Sequence, residues 1–317
     1  MIPQSRFQIL TSLLVALFLL VLPLIAPVTL ASQLVIFSIA TLSVTLLLGT
    51  VGLLSFGQGL YVGVGAYLTG LALLHLDIGL LPALALAIVG SASLGFILSW
   101  LIVRRQGVYF VMLTLALAQM GYFAMLSLKD ITGGENGLTG LPRSFSVLGF
   151  TIESGLSFYV LAANSLLLAL LLAQRFDASP FGSVLTAIRQ NESRSAALGY
   201  SVKHYKVASI TLAGAIAGLA GGLHAAFLGF VPPNDIEIEM SQRLLIMAII
   251  GGVASPAGAI VGAGFYVVLA QLLSEVWARW MALVALFLIM IVLYLPGGLW
   301  SVGKRLRAAF RGSNGDV

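Results

Sequence analysis

Eleven carboxylates and three histidines are the groups that could shuttle protons or ligate metal in this 317-residue chain, and there is no cysteine at all. Disulfides, cysteine metal sites and thiol catalysis are therefore excluded. A proton- or sodium-coupled carrier places a carboxylate inside the apolar part of a span, where a titrating group must sit on the path. None of the acidic residues falls there; Glu275 comes nearest, at the end of an apolar run. His75, His204 and His224 are scattered without metal-ligand spacing, so no metal site is expected. His75 is expected to pair with Asp77, and His224 to hydrogen-bond between helices. Serine and threonine abound, yet neither a paired base nor a Gly-x-Ser-x-Gly elbow accompanies them. The lone Gly-Lys pair, Gly303 and Lys304, is followed by Arg305, which is no phosphate cradle. GVGAYLTG, from Gly63 to Gly70, has Leu68 where a dinucleotide fingerprint needs its third glycine. No catalytic residue and no cofactor of this chain is expected; ATP and Mg, if used, belong to partner chains.

Neutral polarity and glycine remain. Ser55, Gln58, Thr114 and Gln119 are expected on helices entering from the cytoplasmic side, where interhelical hydrogen bonding competes with a second reading, the lining of a weakly polar translocation pathway. Glycines four apart (Gly59 and Gly63, Gly214 and Gly218, Gly218 and Gly222, Gly258 and Gly262) let helix backbones approach closely. GLYVGVGAY (59–67) and GAIVGAGFY (258–266) match at five of nine positions, a faint sign of internal repetition.

The elements that must carry these residues follow from composition. With 60% hydrophobic and 9% charged residues and a mean hydropathy of +1.07, the chain has too little polar material to cover a soluble globule. Apolar runs of bilayer-crossing length predict an all-α membrane protein, a polytopic bundle of about ten transmembrane helices forming one domain over 1–317. The expected spans are 9–27, 31–50, 57–75, 80–103, 108–128, 155–174, 206–230, 242–255, 257–275 and 280–296; the eighth is short enough to be tilted, broken or only partly crossing. The first run reads as an uncleaved helix, since no small-x-small cleavage site follows it.

Lys and Arg set the orientation. Arg6, Arg104, Arg105, Arg175, Arg189, Arg194, Lys203, Lys206, Lys304, Arg305, Arg307 and Arg311 gather on one side, against Lys129, Arg143, Arg243 and Arg279 on the other. Both termini are thus expected in the cytoplasm, with a basic tail over 297–317. The loop 129–154 is then extracytoplasmic and the segment 175–206 cytoplasmic.

That inner segment is the longest polar passage of the chain. Ser179 before Pro180 reads as a helix N-cap, Gly199 as a helix stop and Asn191 as a break between two short helices. Val184, Leu185 and Ile188 form an apolar stripe, Arg189, Glu192 and Arg194 a polar face, and Ser195, Ala196 and Ala197 a patch of small residues open to another protein. A plain solvated connector is the competing reading.

Five stretches together, GLLSFGQGLYVGVGAYLTG (52–70), GVYFVMLTLALAQM (107–120), TGGENGLTGLP (132–142), FGSVLTAIRQNESRSAALGYSVKHYK (181–206) and LAGAIAGLAGGL (212–223), resemble the M-type permeases of branched-chain amino acid ABC importers over nearly the whole chain. The resemblance implies an inner-membrane permease working with a homologous H-type permease, two cytoplasmic ATPase subunits and an extracytoplasmic solute-binding protein. It implies an ATPase-coupling segment containing Ala187, Arg189, Asn191, Glu192, Ala196, Ala197 and Gly199. It also implies a binding-protein docking loop containing Thr132, Gly133, Gly134, Asn136, Gly137 and Pro142. Relatives of this kind also carry urea, short amides or aromatic acids. Glu192 and Gly199 lie seven apart, so the glutamate-alanine-alanine-x-x-x-glycine motif of many other ABC importers is not reproduced.

Overall fold

A computed structural model describes residues 4–301 except 77, 143, 148, 149, 154, 277, 278 and 296. Backbone groups in a lipid-like setting must be satisfied within their own segment, and the chain answers with helices. They are α1 (Gln4–Ile25), α2 (Val28–Leu46), α3 (Gln58–His75), α4 (Leu80–Ile102), α5 (Val108–Ser127), the short α6 (Lys129–Thr132), α7 (Leu156–Ala178), α8 (Pro180–Gln190), α9 (Glu192–Ala197), α10 (Val202–Leu228), α11 (Ile238–Gly251), α12 (Pro256–Val276) and α13 (Trp280–Tyr294).

Among the described residues, seven stretches, around α2, α4, α5, α7, α10, α12 and α13, are long and apolar enough to cross a membrane. The chain is therefore a multi-pass helical membrane protein. The other three segments expected to span also form helices of weaker membrane character. α1 has a largely apolar stretch at Leu10–Ile25, and α3 is diluted by glycine and opened by Gln58. α11 has 14 residues, about 21 Å at 1.5 Å per residue, against a hydrocarbon layer of about 30 Å. It occupies 238–251 rather than 242–255, because Gly252 at φ +100° ends it. The partner expected for His75, Asp77, and the tail charges from Lys304 onward lie outside the described residues.

α10 is the centre, packed against α4, α3 and α2. Its glycines explain why. A Cβ at Gly221 would fall 1.8 Å from the Val62 carbonyl oxygen, and one at Gly65 would fall 2.2 Å from that of Gly218. The α3 and α10 backbones touch directly, which only glycine permits. Gly218 also meets the Ser91 hydroxyl of α4, so one glycine serves both neighbours. The four-apart glycines read from the sequence are thus packing positions, but Gly65 and Gly221, among the tightest of the helix contacts, stand outside that pattern.

α2 is buried along most of its length and closes in a π-helical turn, Leu47–Val51, followed by Gly52 at φ +78°. At the opposite end of the bundle the segment 129–154 is not a bare loop. α6, a 3₁₀ turn (Gly134–Asn136) and an antiparallel hairpin of β1 (Ser144–Val147) on β2 (Phe150–Glu153) organise it. The hairpin is a correction to an otherwise helical expectation. Its four-residue strands are too short to show an alternation that stands out from loop sequence.

Candidate functional site

The inner segment folds as its punctuation predicts. The Ser179 hydroxyl accepts from the Gly182 N–H at 3.2 Å with Pro180 at the first helical position, which starts α8. Asn191, extended at φ −158°, ends α8 and caps α9 by accepting from the Arg194 N–H at 2.9 Å. Gly199 stands at φ +90°, where a side chain would be strained. Leu185 and Ile188 are buried, and this stripe fixes α8 against the bundle. Ala187, Ala196, Ala197, Leu198, Gly199 and Tyr200 are exposed. Leu198 keeps 73% of its surface, a large apolar side chain at the apex of the turn; its place beside the small-residue patch was the available signal, and the candidate set omits it.

The polar members of the segment hold it to the bundle. The Arg189 guanidinium donates to the Gly49 carbonyl within the π-helical turn, and its stem lies where a Cβ on Gly52 would be, 2.8 Å from Arg189 Cγ. Lys206 Nζ on α10 meets Glu192 Oε2 on α9 at 2.6 Å, and the lysine side chain is only 4% exposed. The π turn collects two further neighbours: Thr50 donates to Asp177 of α7 at 2.7 Å, and Gly49 abuts the Val253 carbonyl in the α11–α12 turn. A π turn sacrifices regular i→i−4 bonding, which frees a carbonyl for Arg189, and such bulges concentrate at functional positions. The sequence contains no signal for it.

Six residues beyond this joint, α3 begins at Gln58, and the pathway candidates gather around its start. Ser55 is not helical but lies in the connector between Gly52 and α3, where its hydroxyl accepts from the Gly57 N–H at 3.1 Å. Thr114 of α5 accepts from the Phe56 N–H at 3.2 Å and donates to the Val111 carbonyl at 2.8 Å. Both hydroxyls are thereby fixed to backbone. Gln119 is partly exposed and not joined to this group. Gln58 is fully buried; its Oε1 accepts from the Ser43 hydroxyl at 3.1 Å, while its Nε2 has no partner among the described residues. An unpaired buried donor costs about 1–3 kcal/mol. Gln58→Leu should therefore leave membrane abundance unchanged or raised and lower uptake about tenfold. An equal loss of both would make Gln58 a packing residue.

At the other end, Thr132 is buried and donates to the Met125 carbonyl at 2.6 Å. Gly133, Gly134 and Gly137 all have positive φ, and a Cβ on Gly137 would sit 2.2 Å from the Val231 carbonyl. These four build the loop; Asn136 and Pro142 are exposed on it. Leu138 and Val231 exchange two backbone hydrogen bonds, of 3.1 and 2.9 Å, so the loop is stitched to the segment after α10. In that segment Asp235, 3% exposed, meets His224 Nδ1 of α10 at 2.8 Å. His224 thus makes a hydrogen bond, though to a carboxylate in the 3₁₀ turn that follows its own helix rather than to another membrane helix. α10 carries a buried polar contact near each end, Lys206 with Glu192 and His224 with Asp235.

This arrangement has relatives. The sequence profile of the family described as branched-chain amino acid transport system / permease component matches residues 26–294. The high-affinity branched-chain amino acid transport system permease protein LivM of Salmonella typhimurium is 28% identical over 86% of this chain and 69% of its own length. The probable branched-chain amino acid transport permease protein LivH of Methanocaldococcus jannaschii is 31% identical over 70% and 71%. The autoinducer 2 import system permease protein LsrC of Salmonella typhimurium is 27% identical over 65% and 59%. No solved structure matches the chain significantly. A glycine-tight helical bundle with an anchored, exposed elbow at one end and a stitched loop at the other is thus found in a chain whose profile match covers nearly its entire length, and the protein belongs to the family of branched-chain amino acid transport permeases.

Proposed function

We propose that this chain is the membrane-spanning permease subunit of an ATP-binding-cassette importer that moves branched-chain or related apolar amino acids inward by alternating access. The observation that carries the reading is the elbow α8–α9. Its outer surface sets Ala187, Ala196, Ala197 and Leu198 beside exposed polar residues such as Ser193 and Arg194, while Arg189 and Glu192 tie it to the end of α2 and to α10. A surface so built can receive a push and pass it to helices that line a pathway. The excess of positive charge flanking it in the sequence supports a cytoplasmic position for it and for both termini. ATP and Mg then act on two partner ATPase subunits, a homologous H-type permease completes the pathway, and a solute-binding protein docks at the loop bearing Asn136 and Pro142. A loaded binding protein shifts the equilibrium by preferring the outward-open state. Urea, short amides, aromatic acids and autoinducer-type solutes are the alternative cargoes.

Reconstitution tests this. Liposomes holding the permease pair, the ATPases and the binding protein should concentrate L-leucine only with ATP, and liposomes holding this chain alone should concentrate nothing. Uphill uptake by the chain alone would overturn the proposal.

A further inference from the structure

Arg243 is the cation that the reading above leaves without a task. It lies in the second turn of α11, at the end of the bundle that carries the stitched loop, and no carboxylate comes within ion-pair distance of it among the described residues. It borders a cavity of about 350 Å³ between α2, α11, α12 and the start of α13. Tyr266 lines the same cavity. Gln33 and Gln271 bring two amides to the same space, and the rings of Phe37 and Trp280 bring apolar wall. A neighbouring cavity of about 220 Å³ shares Arg243 and Tyr266 and adds Glu239, one helical turn before Arg243 on the same face.

A partly exposed guanidinium with no carboxylate in ion-pair range among the described residues is open to an anionic ligand. A guanidinium fork matches a carboxylate with two parallel hydrogen bonds. With aromatic wall on one side and a carboxylate one turn away, the space fits a small zwitterion bearing a hydrocarbon side chain. We infer that Arg243 anchors the carboxylate of an apolar amino acid at the outer mouth of the pathway, Phe37 and Trp280 receive its side chain, and Glu239 faces its ammonium group. The inference rests on the transport reading and narrows it: urea and short amides offer Arg243 a neutral carbonyl in place of a carboxylate and bind it more weakly.

The test uses the permease–ATPase complex without its binding protein, in phosphatidylcholine nanodiscs, with radiolabelled L-leucine as the probe. Saturable binding is expected, displaced by excess 4-methylpentanoate but not by L-leucinamide. Arg243→Gln should weaken it tenfold or more, and Arg243→Lys should recover part of that loss. Gln271→Leu, which leaves the guanidinium in place, should weaken binding severalfold and keeps the test decisive if Arg243→Gln fails to assemble. Absence of saturable binding, equal displacement by L-leucinamide, or binding unchanged in Arg243→Gln would each overturn the site. So would loss of leucine binding when phosphatidylglycerol is added, since the cavity would then hold a lipid headgroup. If the complete importer accumulates leucine and Arg243→Gln leaves its KM unchanged, the site fails and the transport reading stands. If the importer accumulates no amino acid, the transport reading itself fails.

Discussion

Ala197→Trp should reduce ATP-driven uptake to background while the chain still inserts and assembles with its sister permease. Ala197 is the last residue of α9 and is exposed, followed by the exposed Leu198 and by Gly199 at positive φ. Bulk added at a solvent-facing position ordinarily changes stability by no more than about 0.5 kcal/mol, so the fold has no reason to fail. A partner groove shaped for a methyl group has every reason to reject an indole; overpacking a fitted contact costs about 1–3 kcal/mol. The surface is narrow, which leaves few other contacts to make up that loss. The measurement pairs uptake in vesicles with recovery of the ATPase subunits on affinity-purified permease. Normal uptake would remove the elbow from the coupling surface. Lost uptake with the ATPases still bound would relocate the defect from docking to transmission.

Much of this was legible in the chain because it depends on local chemistry. Ser179-Pro180, Asn191 and Gly199 are backbone instructions readable at single positions, and the helices follow from runs of apolar residues whose backbones have no other partner. What escaped is set by meetings between segments far apart in sequence. Nothing local says that Glu192 will find Lys206 rather than solvent, that Asp235 will turn inward to His224, or that a π turn at Leu47–Val51 will present the Gly49 carbonyl to Arg189. Periodicity marks Arg189, Glu192 and Arg194 as a polar face, and the resemblance adds Asn191 to the segment that would meet a partner. In the structure Arg189, Asn191 and Glu192 also make intramolecular contacts, and the exposed surface combines Arg194 with Ala197 and Leu198. Gln119 was grouped with Gln58 by residue type alone; the geometry joins only Ser55, Gln58 and Thr114 around the start of α3.

Lys206→Glu should abolish uptake and lower abundance, and the exchanged pair Glu192→Lys with Lys206→Glu should recover a measurable part of both. The lysine side chain is 4% exposed and the glutamate 28%. Breaking a buried pair from one side costs about 3–5 kcal/mol; the partial exposure of Glu192 moves this case toward the lower figure, but the reversal adds a second carboxylate beside the first. Stability alone would explain that result, so a third chain is needed. Replacing a buried pair by apolar side chains of similar volume is often neutral, and Glu192→Leu with Lys206→Met should accordingly be abundant. The two polar contacts of α10, at Lys206 and His224, are 18 residues apart, about 27 Å along one helix. If movement of the elbow is delivered through the first of them to the segment that carries Asp235, the apolar pair, lacking a directional bond, lets α9 slide on α10. Uptake per molecule should then fall about tenfold, and ATPase activity should lose its response to the loaded binding protein. An apolar pair that pumps as well as the native one would reduce the contact to packing and leave the Arg189–Gly49 bond as the route by which the elbow moves the bundle.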